Sequence, residues 1–494
     1  MNRPQSIFIL ALAVIPLSQL FSDPPVFKDI DTKNIAAVEL FLKSNDVNGR
    51  YGTDSLTLLN YSISTSNRKM VKFLLDAGAD PNNIDSLQNT PLMYAANTGQ
   101  IRIIKLLLRN GAGLNSKNEK WLTAYDFAIR AHQIDASRYL KSRFERNLPP
   151  FRDGPYITWK NSDRLKAFYL FHDSIRNHTE KIKKQFKVDS IPFLMNGFAH
   201  DTLSYSLKKT HTVFPSYYSG IEKLLIIGDI HGGYDSLVLF LKNNLVIDDQ
   251  LRWTFGEGHI VFLGDIFDRG NRVTESLWLI YQMEQQALKS GGAVHYLLGN
   301  HEVMTLQKDQ RFITDKYYYL CKKLQLNYGH LFAKNTVLGN WIRTKNSMII
   351  INDKLFVHAG ISDEIMDLNL SPEEFNDRVR YFLNYPERNR KYGQEQRELI
   401  MGMKGPFWYR GFIETQNYFP PFTQNDLEKV LNRYKVTSVF VGHTNVDSIT
   451  ALYEKRIFMM DVPFYTYGYN LEALLIENDT FYLLSTSGRK EVLP

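Results

Sequence analysis

From residue 229 onward the chain carries five clusters of metal-ligand type: Asp229 with His231, Asp265, Asn300, His358 and His443. Carboxylate, amide and imidazole donors, with no thiolate among them, suit divalent ions such as Mn, Fe, Zn or Ni. Two such ions about 3.5–4 Å apart, bridged by one carboxylate, polarise a phosphoryl oxygen and acidify a shared water. Any one of these residues alone would read as a turn, a cap or a core histidine. Their positions give the pattern its force.

Each cluster follows a short apolar run. Residues 223–227 lead into Asp229, 259–263 into Asp265, 293–298 into Asn300, 354–357 into His358 and 437–441 into His443. Such runs predict strands, and the helical patterns over 235–243 and 273–287 make the alternation α/β. Ligand sites in layered α/β folds gather at the carboxyl ends of strands, so the five clusters converge on one region. Further strands are expected over 347–351, 457–460 and 481–484. Ser371 and Glu374 open a helix as a capping box. Asp461 also ends an apolar run and could approach the site, but reads sooner as a turn or ion-pair residue. His211, His259, His295 and His330 read as structural.

In order along the chain, Gly228-Asp-Ile-His-Gly232, Gly264-Asp-Ile-Phe-Asp-Arg-Gly270, Gly299-Asn-His-Glu302, His358-Ala-Gly360 and Gly442-His-Thr444 resemble the motifs of the calcineurin-like metallophosphoesterases. Five motifs in sequence are far more specific than any single Gly-Asp pair. Asp268-Arg269-Gly270 and Glu302 are similar to the phosphoprotein phosphatase branch. Gly405-Pro-Phe-Trp-Tyr-Arg-Gly411 and Asp153-Gly-Pro-Tyr156 resemble its Shewanella-like phosphatases, over roughly residues 150–490.

The resemblance implies a sandwich of two mixed β-sheets flanked by helices, and two divalent metal ions. Asp229 and His231 would hold the first ion, Asp265 would bridge, and Asn300, His358 and His443 would complete the second. A water activated between the ions is the implied nucleophile. His301, oriented by Asp268, is the implied general acid, and Glu302 supports the loop. Arg269 and Arg410 would clamp phosphate oxygens with paired guanidinium hydrogen bonds. Asn445 stands where many wider relatives carry a second histidine, which leaves the first site open or weaker.

Ahead of these motifs lies a repeat. Thr57, Thr90 and Thr123 fall 33 residues apart, Gly78 and Gly111 keep the same step, and an amphipathic pattern follows each block. Period and Thr-Pro-Leu motif resemble ankyrin repeats. An all-α ankyrin solenoid is expected over 33–143, with residues 37–44 as its leading cap. Such an array either binds a protein partner or serves as a spacer. Residues 144–220 are expected to be a linker and an elaboration of the catalytic domain, with a turn over 149–155 and a helix over 163–186. The catalytic domain itself is expected over 221–494.

At 44% hydrophobic and 22% charged residues, the chain has the balance of a folded protein. Its +7 net charge is modest, carries no nucleic-acid motif, and suits anionic substrates. One cysteine, Cys321, excludes a disulfide framework. Arg3, the apolar run 7–17 and the polar residues Ser18, Gln19 and Ser22 follow the order of a signal peptide over 1–22, implying a secreted or periplasmic protein or an uncleaved anchor. No later segment is long and apolar enough to span a membrane.

The function expected is metal-dependent hydrolysis of a phosphate monoester, on phospho-Ser/Thr or phospho-Tyr of a protein. Tyr409, Tyr465 and Tyr467 are placed to line a pocket for an aromatic leaving group. One alternative is a small-molecule phosphoesterase, a nucleotidase or phosphodiesterase. Another is an ankyrin-based binding protein on an inactive scaffold, against which the intact donor set argues.

Overall fold

The computed structural model describes residues 25–493 apart from 53–55, 117, 119–121, 147, 177, 197–203, 386–390, 414–418, 420–421 and 463–470. The expected signal peptide, Tyr465 and Tyr467 lie outside the described residues. Contacts divide the chain into two compact units, Met1–Asn147 and Leu148–Pro494.

The first unit is a stack of helix pairs: Leu58–Ser64 with Arg68–Asp76, Pro91–Asn97 with Ile101–Arg109, and Ala124–Arg130 with Ile134–Arg146. The 33-residue step follows from their caps. Thr57, Thr90 and Thr123 each accept the backbone N–H three residues on, from Asn60, Met93 and Asp126, at 3.1–3.4 Å. Gly78 and Gly111 sit at φ 93° and 88°, a left-handed turn open to glycine without strain. Successive units are tied by asparagines: Asn48 Oδ1 accepts the Asp80 N–H and Asn82 Oδ1 the Gly113 N–H, both at 2.7 Å. Packing starts earlier than the expected boundary at 33, because helix Pro25–Asp31 buries Val26, Phe27 and Ile30 in the same core.

The second unit opens with three antiparallel strands, β1 (Phe151–Trp159), β2 (Arg164–Asp173) and β3 (His178–Lys187). The helix expected over 163–186 is therefore a hairpin, and the turn expected over 149–155 lies largely within β1. Leu165, Ala167 and Tyr169 are buried while Arg164 and Lys166 are exposed, which is a period of two. Asp173 supplies the turn by accepting the N–H groups of Ile175 and Arg176. Lys181, Lys183, Lys184 and Lys187 mark β3 as an edge strand, not a basic helix face. Pro155 is tolerated in β1 at a register shift between Asp153 and Tyr156. A two-stranded ribbon, β4 (Phe193–Asn196) and β5 (Ser204–Leu207), follows.

Two six-stranded mixed sheets form the rest. Their strands are β6 (Tyr217–Tyr218), β7 (Lys223–Ile227), β8 (His259–Phe262), β9 (Ala293–Tyr296), β10 (Met348–Ile351), β11 (Lys354–Val357), β12 (Ser438–Asn445), β13 (Thr450–Leu452), β14 (Ile457–Asp461), β15 (Glu472–Glu477), β16 (Thr480–Ser485) and β17 (Lys490–Val492). One sheet runs β9-β8-β7-β15-β16-β17 and the other β13-β14-β12-β11-β10-β6. Strands β7, β8 and β9 are mutually parallel, as are β11, β12 and β14.

Leu224 and Ile226 of β7, Val261 of β8, Phe356 of β11, Phe440 of β12 and Phe458 of β14 fill the layer between the sheets. The rings of Phe356, Phe440 and Phe458 stack at 4.8 and 4.6 Å. Leu225 and Ile227 face the other way, into the helix-covered core. Burial on both faces is why these strands read as unbroken apolar runs. Helices α1 (Tyr234–Asn243), α2 (Val273–Lys289) and α3 (Asn300–Leu306) follow β7, β8 and β9. No helix among the described residues is long and apolar enough to cross a membrane.

Candidate active site

The loops after β7, β8, β9 and β11 and the far end of β12 bring Asp229, His231, Asp265, Asn300, His301, His358 and His443 together, each at most 6% exposed. Asp265 is the hub. Its carboxylate lies 3.8 Å from Nε2 of both His231 and His301, and 3.4 Å from His358 Nε2. It also accepts the His301 N–H at 2.9 Å. Asp229 stands 4.0 Å from His231 Nε2, and its two oxygens accept the His443 N–H at 3.2 and 3.1 Å. Asn300 Oδ1 lies 2.9 Å from His358 Nε2. His231 and His358 turn their Nδ1 atoms to the carbonyls of Phe267 and Leu263, both at 2.8 Å. That contact leaves Nε2 as the outward nitrogen of each ring.

The motif glycines make room for these carboxylates. A Cβ on Gly299 would lie 2.2 Å from Asp265 Oδ1, and one on Gly442 would lie 2.2 Å from Asp229 Oδ1. His231, Asp265, Asp268, Arg269 and His443 all adopt positive φ, from 47° to 65°, where side chains are uncommon. Such strain persists only where surroundings enforce it. Glu302, fully buried at the start of α3, does much of that enforcing. It accepts the N–H groups of Asp265, Ile266 and Gly299 and the Tyr296 hydroxyl at 2.7–2.9 Å. One carboxylate thereby locks the loop after β8 to the loop after β9.

Electrostatics divide the site. Burial pushes Asp265 up, but the imidazoles of His358 and His301 outweigh it and hold the carboxyl well below its usual range. Burial and the neighbouring Asp461 raise Asp229 well above its range. Burial keeps His231 and His443 neutral, with Arg269 adding to the effect on the first and His358 on the second. His358 goes the other way: burial opposes protonation, yet Asp265 and Asp229 lift it to about 10. Carboxylates paired in this way favour a cation beside them, a proton or a metal ion.

The donor set fits divalent ions on two counts. Donor atoms of His231, Asp265 and His301 lie within 4.8 Å of one another, as do those of Asp265, His358 and His443. His443 Nε2 and Asp461 Oδ1 are buried with no hydrogen-bond partner among the described residues, an expensive state unless something else binds them.

His301 Nδ1 meets Asp268 Oδ2 at 2.6 Å, the pairing expected of an oriented acid. Burial lowers the His301 pKa, while Asp265 and Asp268 together raise it above the ordinary value. Arg269 and Arg410 both direct charge into the site. Arg269 acts on His231, and Arg410 on His443 and Asp461. Arg410 Nη1 is 3.2 Å from Thr444 Oγ1, beside His443. Tyr409 is buried against Phe412 and Phe419, with ring centroids 5.8 and 5.0 Å away. His211 pairs with Asn340, and His259 with His295 at 3.0 Å, as structural histidines. Asp461 is the residue the sequence undervalued. It is 1% exposed, ends β14, and accepts from Asn445 Nδ2 at 2.9 Å.

Two facing sheets that carry this donor set on their carboxyl ends define a metallophosphoesterase. The calcineurin-like phosphoesterase model matches residues 222–447, and a model of three ankyrin repeats matches 59–147. Shewanella-like protein phosphatase 2 of Arabidopsis thaliana is 24% identical over 276 residues, covering 46% of this chain and 69% of that protein. Shewanella-like protein phosphatase 1 of Plasmodium berghei is 25% identical over 269 residues, 53% of this chain and 73% of that one. A cold-active protein-tyrosine phosphatase of a psychrophilic Shewanella superposes with a TM-score of 0.61 at 32% identity, covering 70% of this chain and 100% of its own. The chain belongs to the calcineurin-like metallophosphoesterases, in the phosphoprotein phosphatase branch and of Shewanella-like type, with ankyrin repeats ahead of the enzyme.

Proposed function

We propose that this enzyme hydrolyses phosphate monoesters on phosphorylated proteins, at Ser/Thr or Tyr, with two divalent ions, manganese among the candidates. Asp229, His231 and Asp265 would hold one ion, and Asp265, Asn300, His358 and His443 the other. When bound, the ions would neutralise phosphoryl oxygens and supply a hydroxide nucleophile at neutral pH. The chain's own residues do the rest. Arg269 and Arg410 orient the terminal oxygens of the ester. His301, tethered by Asp268, delivers a proton from Nε2 to the leaving oxygen.

The observation that carries this reading is the His301–Asp268 contact at 2.6 Å, set 3.8 Å from the hub carboxylate. An acid placed there serves a poor leaving group such as a serine or tyrosine side chain. The names of the plant, Plasmodium and Shewanella relatives, all protein phosphatases, support the same substrate class. The repeats would dock a protein partner, and the N-terminal apolar run would direct export.

The test strips the protein with chelator and restores it with Mn²⁺. Wild type should then cleave para-nitrophenyl phosphate and a phosphopeptide well above a nucleotide or a bis-ester, while Asp265→Asn stays inactive. Turnover favouring the nucleotide or bis-ester would replace the protein substrate by a small molecule. Inactivity of wild type on every substrate would remove the catalytic reading.

A further inference from the structure

Asp461 and Asn445 have no part in the reading above, yet both lie in the site. Strand β14 runs parallel beside β12, and their last register pair is Asn445 with Asp461. The Asn445 amide donates to Asp461 Oδ2 at 2.9 Å, which fixes the carboxylate's orientation. Its other oxygen, Oδ1, is buried and has no hydrogen-bond partner among the described residues. Strand β14 also presses on the strand end that delivers Asp229. A Cβ on Gly228 would lie 2.0 Å from the Met460 carbonyl oxygen and 3.2 Å from Asp461 Cα. The ends of β7 and β14 therefore lie against each other, and after burial itself the Asp461 carboxylate is the largest influence raising Asp229.

Two carboxylates buried next to each other, one with an oxygen held open, are stable only with a cation between them or a proton shared. We propose that Asp461, aimed by Asn445, is a further ligand of the ion held by Asp229 and His231. That ion would then have three carboxylates and one imidazole from the protein, Asp265 being the shared one. Hard oxygen donors in that proportion suit Mn²⁺ at this position. Asn445 takes no metal itself. Its amide uses one hydrogen bond to turn a neighbouring strand's carboxylate inward. The inference rests on the two-metal reading, and its test is chosen to separate the two.

The full chain, stripped of metal, is titrated with Mn²⁺ by calorimetry and by thermal shift, as wild type, Asp461→Asn and Asn445→Ala. Wild type should bind two ions. Asp461→Asn keeps the shape of the side chain, and should weaken one ion by roughly 10–100-fold while leaving the other unchanged. Asn445→Ala leaves the carboxylate in place but unaimed, and should weaken the same ion by less. Without metal, Asp461→Asn should melt at or above wild type, since a buried repulsion is gone, and its Mn²⁺-induced shift should shrink.

Arg269 and Arg410 also face Asp461. Were its role only to hold them, Asp461→Asn would raise KM and leave both Mn²⁺ affinities at wild type, which overturns the proposal. A metal-free Asp461→Asn that melts well below wild type and keeps its Mn²⁺ shift overturns it equally. Wild type binding no Mn²⁺ would remove the two-metal reading as well, whereas two normal ions in both variants would remove this inference alone.

Discussion

The repeat unit and the catalytic centre use buried polar groups in opposite ways. In the repeats such groups have local partners: Thr57, Thr90 and Thr123 cap the helices they begin, and Asn48 and Asn82 tie neighbouring units together. In the centre, Asp229 and Asp461 repel each other, His443 Nε2 has no partner among the described residues, and Asp265 and four other positions adopt positive φ. Stability in the first region is assembled from neighbours. In the second, residues are held against their preferences by the sheets and by Glu302. A substitution in the repeats should therefore lower stability and spare chemistry, and one in the centre should do the reverse.

The largest effect expected falls on chemistry alone. His301→Asn removes the proton donor, and should lower kcat on a phosphoserine peptide by roughly 10²–10⁴-fold. Para-nitrophenolate leaves without a proton, so the loss on its phosphate ester should be much smaller. Melting temperature should move little. An equal loss on both substrates would mean that His301 binds metal or phosphate and is not the acid.

A pH effect comes next, confined to the centre. His358 is lifted to about 10 by Asp265 and Asp229 against the opposing effect of burial. A histidine raised in the folded state contributes stability that is full below its unfolded value, about 6.5. That contribution is lost as pH rises through 10. Chelated protein should therefore melt progressively lower between pH 7 and 10, and saturating Mn²⁺ should flatten the curve by taking the proton's place. A flat curve without metal would show that no proton on His358 offsets the charge of the carboxylates.

These contrasts also explain which parts of the fold were legible. The repeats announce themselves because every cap and turn recurs at a fixed step. The five motifs are legible because each closes a strand that the sandwich buries on both faces. The hairpin of β2 and β3 was misread as a helix, since Lys181, Lys183, Lys184 and Lys187 suggest a solvated helical face and hide the alternation of Leu165, Ala167 and Tyr169. Asp461 was undervalued for another reason: its meaning lies in a register pair with Asn445, 16 residues away, that exists only once β12 and β14 align. One signal was present all the same. Residues 457–460 followed by an acid repeat the pattern of the other site strands.

The smallest effects test the other side of the comparison. Leu74 is fully buried among the repeat helices, and Leu74→Ala should cost about 2–5 kcal/mol through lost transfer energy and the cavity left behind. Thr90→Ala removes one cap bond and should cost about 1 kcal/mol. Because each repeat is stabilised chiefly by its neighbours, both losses should appear as earlier melting of the repeat unit, with kcat on para-nitrophenyl phosphate unchanged. Thr90→Ser keeps the hydroxyl, and should recover most of the cap contribution if the bond to the Met93 N–H is what matters. Should Thr90→Ala lower kcat with no change in melting, the repeats would be acting on the catalytic centre, and the division between a locally satisfied region and a strained one would fail.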